Sequence, residues 1–296
     1  MVSDEYIDLR EGTFHYRDWG GSGRPIVLLH GAGFTGHQWN LLAPSLMQSA
    51  RIYALDLRGH GESANLDDGY DLDSAVADVR EFIGLLASEA PILIGHSWGG
   101  SIALRYAAEE PETCAGIVLV DGGFFEISSF ETWEEWEQAL TGPPLDGLKV
   151  DALLTGARAL PDYAGIWSPA VERILLANFH VLGDGTIRSR LRPEQRLKMG
   201  HASYDHKPSQ LYDRVRCPVL IVPAIGEPRD ERAARMIQYR RAAVAEAQER
   251  LADAEVVWMN ECTHNVPLQR PKELAAAIER WLEGRCRTNS LSIATS

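Results

Sequence analysis

Ser97 lies within a G-x-S-x-G pattern, residues 95–99, between a short apolar run at 91–94 and a helix-forming stretch at 101–109. The pattern predicts a strand, a sharp turn and a helix. Small residues beside the serine let the strand and helix approach closely, and such a turn exposes the serine hydroxyl at its top. A hydroxyl presented in this way can attack a carbonyl carbon. We therefore predict that Ser97 is the nucleophile of an acyl-transfer reaction.

A serine nucleophile needs a general base within hydrogen-bond reach, and histidine is suited because its pKa lies near ~6.5. His264 lies in the loop after the last predicted strand, residues 255–259. We predict that His264 takes the serine proton. His96 precedes Ser97 directly, points differently on the turn, and is interpreted as a packing residue or one held in a single tautomer.

The segment His30-Gly31-Ala32-Gly33 follows an apolar run at 25–29. Such a small-residue loop leaves backbone N–H groups exposed, and acyl-transfer enzymes need two of them to hold the oxyanion of the tetrahedral intermediate. The predicted donors are an amide at Ala32 or Gly33 and the amide of Trp98, which follows the nucleophile.

Strand-like and helix-like segments alternate around these residues. Helical spacing marks residues 71–87, 231–252 and 271–283, and strands are predicted at 6–9, 13–18, 25–29, 51–55, 91–94, 116–120, 218–222 and 255–259. Alternation of this kind implies a mostly parallel, doubly wound sheet with its chemistry at the carboxyl ends of the strands.

With His30-Gly31, the glycine-punctuated loop 56–63 and residues 95–100 in this order, the chain resembles the α/β-hydrolase superfamily over nearly all of residues 6–284. The resemblance implies a serine hydrolase of esterase or lactonase type with a helical cap inserted after the sixth strand. No strong strand appears between residues 124 and 211, which predicts that this segment is the inserted, mostly helical cap, and residues 285–296 are a polar C-terminal tail. The core comprises residues 1–123 and 212–284, the cap 124–211 and the tail 285–296.

Two strand ends offer a carboxylate to orient His264. Asp121 follows the strand at 116–120, and some members of the resembled family carry their acid there. Glu227 follows the strand at 218–222 and stands where the family usually has an aspartate. We favour Asp121 and keep Glu227 as the alternative.

The predicted cap is rich in aromatic residues, which could exclude water and line an apolar pocket, or could simply pack. The candidate substrate-binding residues are Phe124, Trp133, Trp136 and Trp167. Five glutamates make the start of the cap acidic: Glu126, Glu131, Glu134, Glu135 and Glu137.

The 296-residue chain carries 42 acidic and 29 basic residues, for a net charge of −13. This balance disfavours nucleic acid and anionic membranes as partners and favours a neutral or cationic small-molecule substrate.

No signal peptide or membrane span is expected, and the scattered cysteines are interpreted as reduced thiols. We therefore expect a cytoplasmic protein. His201 and His206 fit no metal template and are interpreted as surface residues, so no metal or other cofactor is expected. The oligomeric state is not predicted.

The expected reaction is cleavage of a carboxylic ester or lactone through an acyl-enzyme on Ser97. The acidic, aromatic cap suggests a bulky, amine-bearing macrolactone as substrate. Carbon–carbon bond hydrolysis, perhydrolysis and amide hydrolysis use similar triads and stay as alternatives. A small-molecule receptor on the same fold is a further alternative, because fold does not determine function.

Overall fold

The computed structural model describes residues 2–163 and 165–293. Eight strands form one sheet in the order β1-β2-β4-β3-β5-β6-β9-β11, and two further pairs of strands lie outside it. The strands are β1 (Ser3–Leu9), β2 (Gly12–Gly20), β3 (Pro25–Leu29), β4 (Arg51–Leu55), β5 (Ile92–His96), β6 (Gly116–Val120), β7 (Phe179–Val181), β8 (Ile187–Ser189), β9 (Val219–Val222), β10 (Ala224–Ile225), β11 (Ala254–Val256) and β12 (Met259–Asn260).

The large sheet is parallel from β4 to β11, and β1 and β2 extend it as an antiparallel hairpin. Its parallel strands are apolar throughout because both faces are covered. In β3, Val27 and Leu29 face one core cluster, whereas Ile26 and Leu28 face the other. The predicted mostly parallel, doubly wound sheet is therefore confirmed.

Helices cover the two faces of the sheet. They are α1 (Ala43–Leu46), α2 (Leu72–Leu86), α3 (Trp98–Glu109), α4 (Trp133–Leu140), α5 (Val150–Ala159), α6 (Pro169–Leu176), α7 (Pro193–Asp205), α8 (Glu231–Arg250), α9 (Val266–Gln269) and α10 (Pro271–Ile293). Buried residues of α2, α3 and α8 belong to one core cluster, and those of α1 and α10 belong to the other.

The order in which successive strands join the sheet reverses between β3 and β5, and this reversal positions the site. From β3 the chain proceeds to β4 on one side, and later to β5 on the other. Leu29 at the end of β3 is aligned with Gly95 near the end of β5, and His96 is aligned with Val120 of β6. The loops after β3, β5 and β6 therefore open at one edge, where α/β sheets of this kind bind ligands.

The segment between β6 and β9 contains α4 to α7 and one strand pair, β7 and β8. No strand was expected in this part of the chain. The two strands have only three residues each, too few for an alternating pattern to distinguish them from loop. A third core cluster joins α5 and α6 to Leu268 of α9, so this segment packs on the loop that carries His264.

Two predicted boundaries differ at the C-terminal end. The predicted strand at 255–259 is divided into β11, which pairs with β9, and β12, which pairs with β10. The closing helix α10 continues past the predicted end at 283 to Ile293, a stretch without proline. Residues 294–296 of the predicted tail lie outside the described residues. No helix in the described part of the chain is long and apolar enough to cross a membrane.

Candidate active site

Ser97 occupies a strained turn between β5 and α3. Its backbone has φ 53° and ψ −115°, a conformation rarely adopted by residues other than glycine. Its amide donates to the Val120 carbonyl at 3.1 Å, which holds the turn against β6. A Cβ at Gly95 would lie 2.1 Å from the Gly99 carbonyl oxygen, and one at Gly99 would lie 2.2 Å from that of Leu29. The close approach of these backbones therefore requires both glycines.

His264 and Asp121 form a hydrogen-bonded pair. Nδ1 of His264 lies 2.8 Å from Oδ2 of Asp121, and a carboxylate can only accept, so the ring N–H donates. In the neutral ring, this tautomer leaves Nε2 of His264 free to accept a proton. The His264 side chain is 46% exposed, whereas Asp121 is completely buried.

The surroundings of Asp121 keep its carboxyl ionised. Burial raises its pKa, but Arg240, His264 and the backbone amide of Ala224 together outweigh burial, so the pKa lies below its ordinary value. Nη2 of Arg240 is 3.4 Å from Oδ2, and the Ala224 amide donates to Oδ1 at 2.9 Å. The carboxylate is thus held by three partners on different elements.

Glu227, the alternative acid, is exposed in the loop between β10 and α8. Among the described residues, no hydrogen bond or ion pair joins it to His264. The strand before this loop, β10, instead supplies the Ala224 amide that holds Asp121. Of the two candidate acids, the structure brings only Asp121 to the histidine.

His96 connects the histidine loop to the loop after β3. Its Nε2 donates to the His264 carbonyl at 2.7 Å, and its Nδ1 accepts from Nε2 of Gln38 at 3.0 Å. Oε1 of Gln38 accepts the Gly31 amide at 3.1 Å. The expected single tautomer of His96 follows from these two partners. The sequence did not indicate a role for Gln38, because only the turn of chain after β3 brings its side chain between Gly31 and His96.

The amides of the loop after β3 are not equally available. Gly33 donates to Nε2 of the buried His60 at 3.0 Å, Phe34 donates to the Gly31 carbonyl at 3.1 Å, and Gly31 donates to Gln38. Among the described residues, no partner of the Ala32 amide is found. The amide of Gly33 is thus already used within the loop, which corrects its prediction as an oxyanion donor. Ala32 remains the candidate donor in this loop. Its companion Trp98 begins α3, while its ring is buried in the core.

The four aromatic candidates for substrate binding pack within the protein. Phe124 is 1% exposed in the core, and its carbonyl accepts the Tyr212 hydroxyl. Trp133 stacks on His201 with ring centroids 3.5 Å apart, and Trp136 donates to the Gly200 carbonyl. Trp167 packs edge-on against Tyr163 and under Arg158. These contacts explain the four aromatic residues without a role in substrate binding. Phe34, which the sequence did not single out, places its ring 6.5 Å from that of His96.

Among the described residues, no cluster of three or more His, Cys, Asp or Glu side chains is arranged to hold a metal ion. His201 is exposed, as predicted, but His206 is buried, and the prediction of a surface position is wrong for it. His206 follows α7 directly and lies beside the backbone of Gly123. Burial lowers the pKa of His206 to about 4.

Acid is expected to destabilise the protein because buried histidines of the site stay neutral when folded. Burial lowers the pKa of His60 to about 3, and burial followed by the nearby His264 lowers that of His96 to about 3. The unfolded chain binds a proton at each near pH ~6.5. Between pH 6.5 and 3 the unfolded state therefore binds more protons, and the free energy of unfolding falls as the pH drops, by up to about 1.4 kcal/mol per pH unit for each histidine.

Urea unfolding of the protein between pH 7.5 and 5.0 tests this prediction. His96→Gln is expected to flatten the dependence below pH 6.5, by an amount that approaches about 1.4 kcal/mol per pH unit near pH 5. His201→Gln, at an exposed position, is the control and should keep the original slope. A free energy of unfolding that is constant over this range would contradict the prediction.

Comparisons with known proteins agree with this architecture. A model of the alpha/beta hydrolase family matches residues 26–277. A soluble epoxide hydrolase of Corynebacterium sp. (strain C12) is 36% identical over 101 residues, 34% of this chain and 35% of that protein. A serine hydrolase-like protein of Danio rerio is 40% identical over 113 residues, 37% of this chain and 35% of that protein. The matched region thus spans about a third of the length of these relatives.

The fold is shared with a solved structure of E-2-(acetamidomethylene)succinate hydrolase. The TM-score is 0.80 at 22% identity, and the match covers 96% of this chain and 100% of the other. At this identity the likeness shows the fold. The family model, however, spans most of the chain, including Ser97, Asp121 and His264. The chain therefore belongs to the alpha/beta hydrolase family.

Proposed function

We propose that this protein is a serine hydrolase that cleaves a carboxylic ester or lactone through an acyl-enzyme intermediate. The observation that carries the proposal is the His264–Asp121 hydrogen bond of 2.8 Å, at the sheet edge where the strained turn presents Ser97. A buried carboxylate that fixes the histidine tautomer is what a serine nucleophile needs from its base.

In the proposed mechanism, the Ser97 hydroxyl oxygen attacks the carbonyl carbon while its proton passes to Nε2 of His264. Asp121 stabilises the imidazolium through the Nδ1–H bond without accepting that proton. The amides of Ala32 and Trp98 hold the oxyanion of the tetrahedral intermediate. His264 then protonates the leaving alcohol as its bond to the carbonyl carbon breaks. Water, deprotonated by His264, releases the acid from Ser97 by the reverse sequence.

Serine at the turn also separates this proposal from the chemistry that some relatives' names suggest. Epoxide hydrolases and haloalkane dehalogenases are among the matched proteins, and members of these classes attack through a carboxylate. In this chain the turn after β5 carries a serine, whose hydroxyl can form an ester with an acyl group. Acyl transfer is therefore favoured over attack on an epoxide or a haloalkane.

The amine-bearing macrolactone is a narrower hypothesis about the substrate, and the cap glutamates offer it little support. Glu126 pairs with Lys207, the buried Glu131 pairs with Arg232, and Glu135 caps the first turn of α4 through Thr132. Because these three glutamates stabilise the cap through local partners, their presence does not require a cationic substrate. An ester or lactone without a required amine is the more economical proposal.

Steady-state hydrolysis of a substrate panel tests the proposed function. The panel contains p-nitrophenyl esters of different acyl lengths, simple and amine-bearing lactones, an aryl amide, an epoxide and a haloalkane. We expect turnover of esters or lactones, and an acyl adduct on the peptide that contains Ser97 when the reaction is quenched early and analysed by mass spectrometry. Turnover of the epoxide or haloalkane without any acyl adduct would overturn the proposal.

A further inference from the structure

Arg196 lies against the loop that supplies the proposed oxyanion donor. It belongs to the cap helix α7, and a Cβ built on Gly33 would lie 3.0 Å from Nη2 and 3.3 Å from Nη1 of its guanidinium. Gly33 is adjacent to Ala32 in the chain. The charged group of Arg196 is therefore held one residue away from the oxyanion donor, on the side of the cap.

The guanidinium of Arg196 has no counter-charge in the part of the chain that the structure describes. Within the described residues, it makes no hydrogen bond and no ion pair. Neighbouring cations of the cap are paired instead: Arg190 with Glu62, Arg192 with Asp67, and Lys198 with Asp68. These three cations therefore meet an acid, whereas Arg196 meets none among the described residues.

The unpaired guanidinium is also partly removed from water. Burial lowers the pKa of Arg196, and no carboxylate nearby offsets this effect. Arginine nevertheless stays charged in proteins at neutral pH. Removing a charge from water without a partner is unfavourable, so a cation held this way suits a ligand that brings the missing negative charge.

The guanidinium lines a small cavity of about 40 Å³ between the cap and the loop after β3. No carboxylate is among its lining residues, which include Gly33, Phe34 and Asn178. The side-chain oxygen of Asn178 is buried without a hydrogen-bond partner among the described residues. An amide in this position can turn to present its NH₂ group to an acceptor. The volume admits a small polar group and excludes a bulky one.

We propose that Arg196 binds a free carboxylate of the substrate, so that the enzyme acts on esters or lactones that carry a second, anionic carboxyl group. The inference rests on the proposed function, whose ester or lactone class it narrows. The planar guanidinium offers two parallel N–H donors that match the two oxygens of a carboxylate. A substrate anchored there extends past Gly33 toward Ala32, where the oxyanion forms. The net charge of −13 does not prevent an anionic group from binding in the cavity. Distant surface charges are screened by salt, so the nearby unpaired cation has the larger effect.

Two esters of equal acyl length test the inference: the p-nitrophenyl monoester of glutaric acid, which has a free carboxylate, and p-nitrophenyl valerate, which has none. The measured quantity is the ratio of their kcat/KM values. Arg196→Met keeps the length of the side chain and removes the charge. We expect it to lower the ratio by about 10- to 100-fold, mainly through KM, because a hydrogen-bonded charge is lost. Arg196→Lys should give an intermediate ratio.

Arg192→Met is the matched control, because Arg192 lies next to α7 and pairs with the exposed Asp67. It should leave the ratio unchanged. The thermal unfolding midpoint separates binding from structure: removal of an unpaired, desolvated cation should leave the midpoint of Arg196→Met equal or higher. A lower midpoint together with an unchanged ratio would assign Arg196 a structural role and overturn the inference.

The outcomes also separate the inference from the proposed function. Hydrolysis of both esters with a ratio that Arg196→Met does not alter overturns the inference alone. If the native protein hydrolyses neither ester and forms no adduct on Ser97, the proposed function fails, and calorimetric titration with glutarate decides the inference. Glutarate binding that is lost in Arg196→Met supports a carboxylate site, and equal affinity of the two proteins overturns it.

Discussion

Replacing Ser97 with alanine is expected to lower kcat for ester hydrolysis by about 10⁴- to 10⁶-fold while leaving the fold intact. The hydroxyl is the attacking group, and no other side chain can replace it in the covalent step. Alanine fits the same turn, because the close contacts of the turn involve the backbones of Gly95, Gly99 and Leu29 rather than the serine side chain. The measurement is single-turnover and steady-state hydrolysis of the best ester in the panel.

Ser101→Ala is the control for this substitution. Ser101 is buried one turn further along α3 and has no role in the proposed reaction. Both variants should unfold at temperatures close to that of the native protein, and only Ser97→Ala should lose activity and the acyl adduct. Near-native hydrolysis by Ser97→Ala would show that the nucleophile lies elsewhere.

Asp121→Asn is expected to lower kcat by roughly 10⁴-fold, whereas Glu227→Gln should change it less than about twofold. An asparagine at position 121 can still accept the Ala224 amide, but its NH₂ group favours the wrong tautomer of His264. Glu227 is exposed in its loop and has no such connection to the histidine among the described residues. The ratio of kcat values for the two variants checks the assignment.

Stability must be measured beside activity for Asp121→Asn, because the substitution leaves Arg240 without the charge that faces it at 3.4 Å. A loss of activity in a protein that remains folded at the assay temperature supports the orienting role. The opposite ranking, with Glu227→Gln inactive and Asp121→Asn active, would transfer that role to Glu227 after a rearrangement of its loop.

The sequence alone determined the sheet, the turn that carries Ser97 and the general place of the histidine. Continuous apolar runs such as β3 and β6 indicate strands covered on both faces, and this information is local. The glycines around Ser97 are equally local signals, because a residue without a side chain is required wherever two backbones meet. For these features the neighbouring residues in the chain contain the physical reason.

The tertiary structure decided the features that depend on contacts between distant residues. Asp121 and Glu227 both follow strands, and only the hydrogen bond across 143 positions of the chain distinguishes them. Gly33 and Ala32 are equivalent as small loop residues until His60 accepts one of their amides. The two short cap strands likewise form through pairing that three residues of sequence cannot signal.

The charged residues show the same difference between what the sequence determines and what the tertiary structure decides. The sequence predicts an acidic protein, and on that ground a neutral or cationic substrate. Whether a given cation is neutralised depends on which acids fold against it, and composition contains no such information. Arg190, Arg192 and Lys198 meet carboxylates, whereas Arg196 comes to lie beside Gly33 with none in the described part of the chain. The packing of the cap helix α7 on the loop after β3 placed that unpaired charge next to the proposed oxyanion site. The sequence could not indicate this, because a helix and a loop so far apart in the chain meet only in the folded protein.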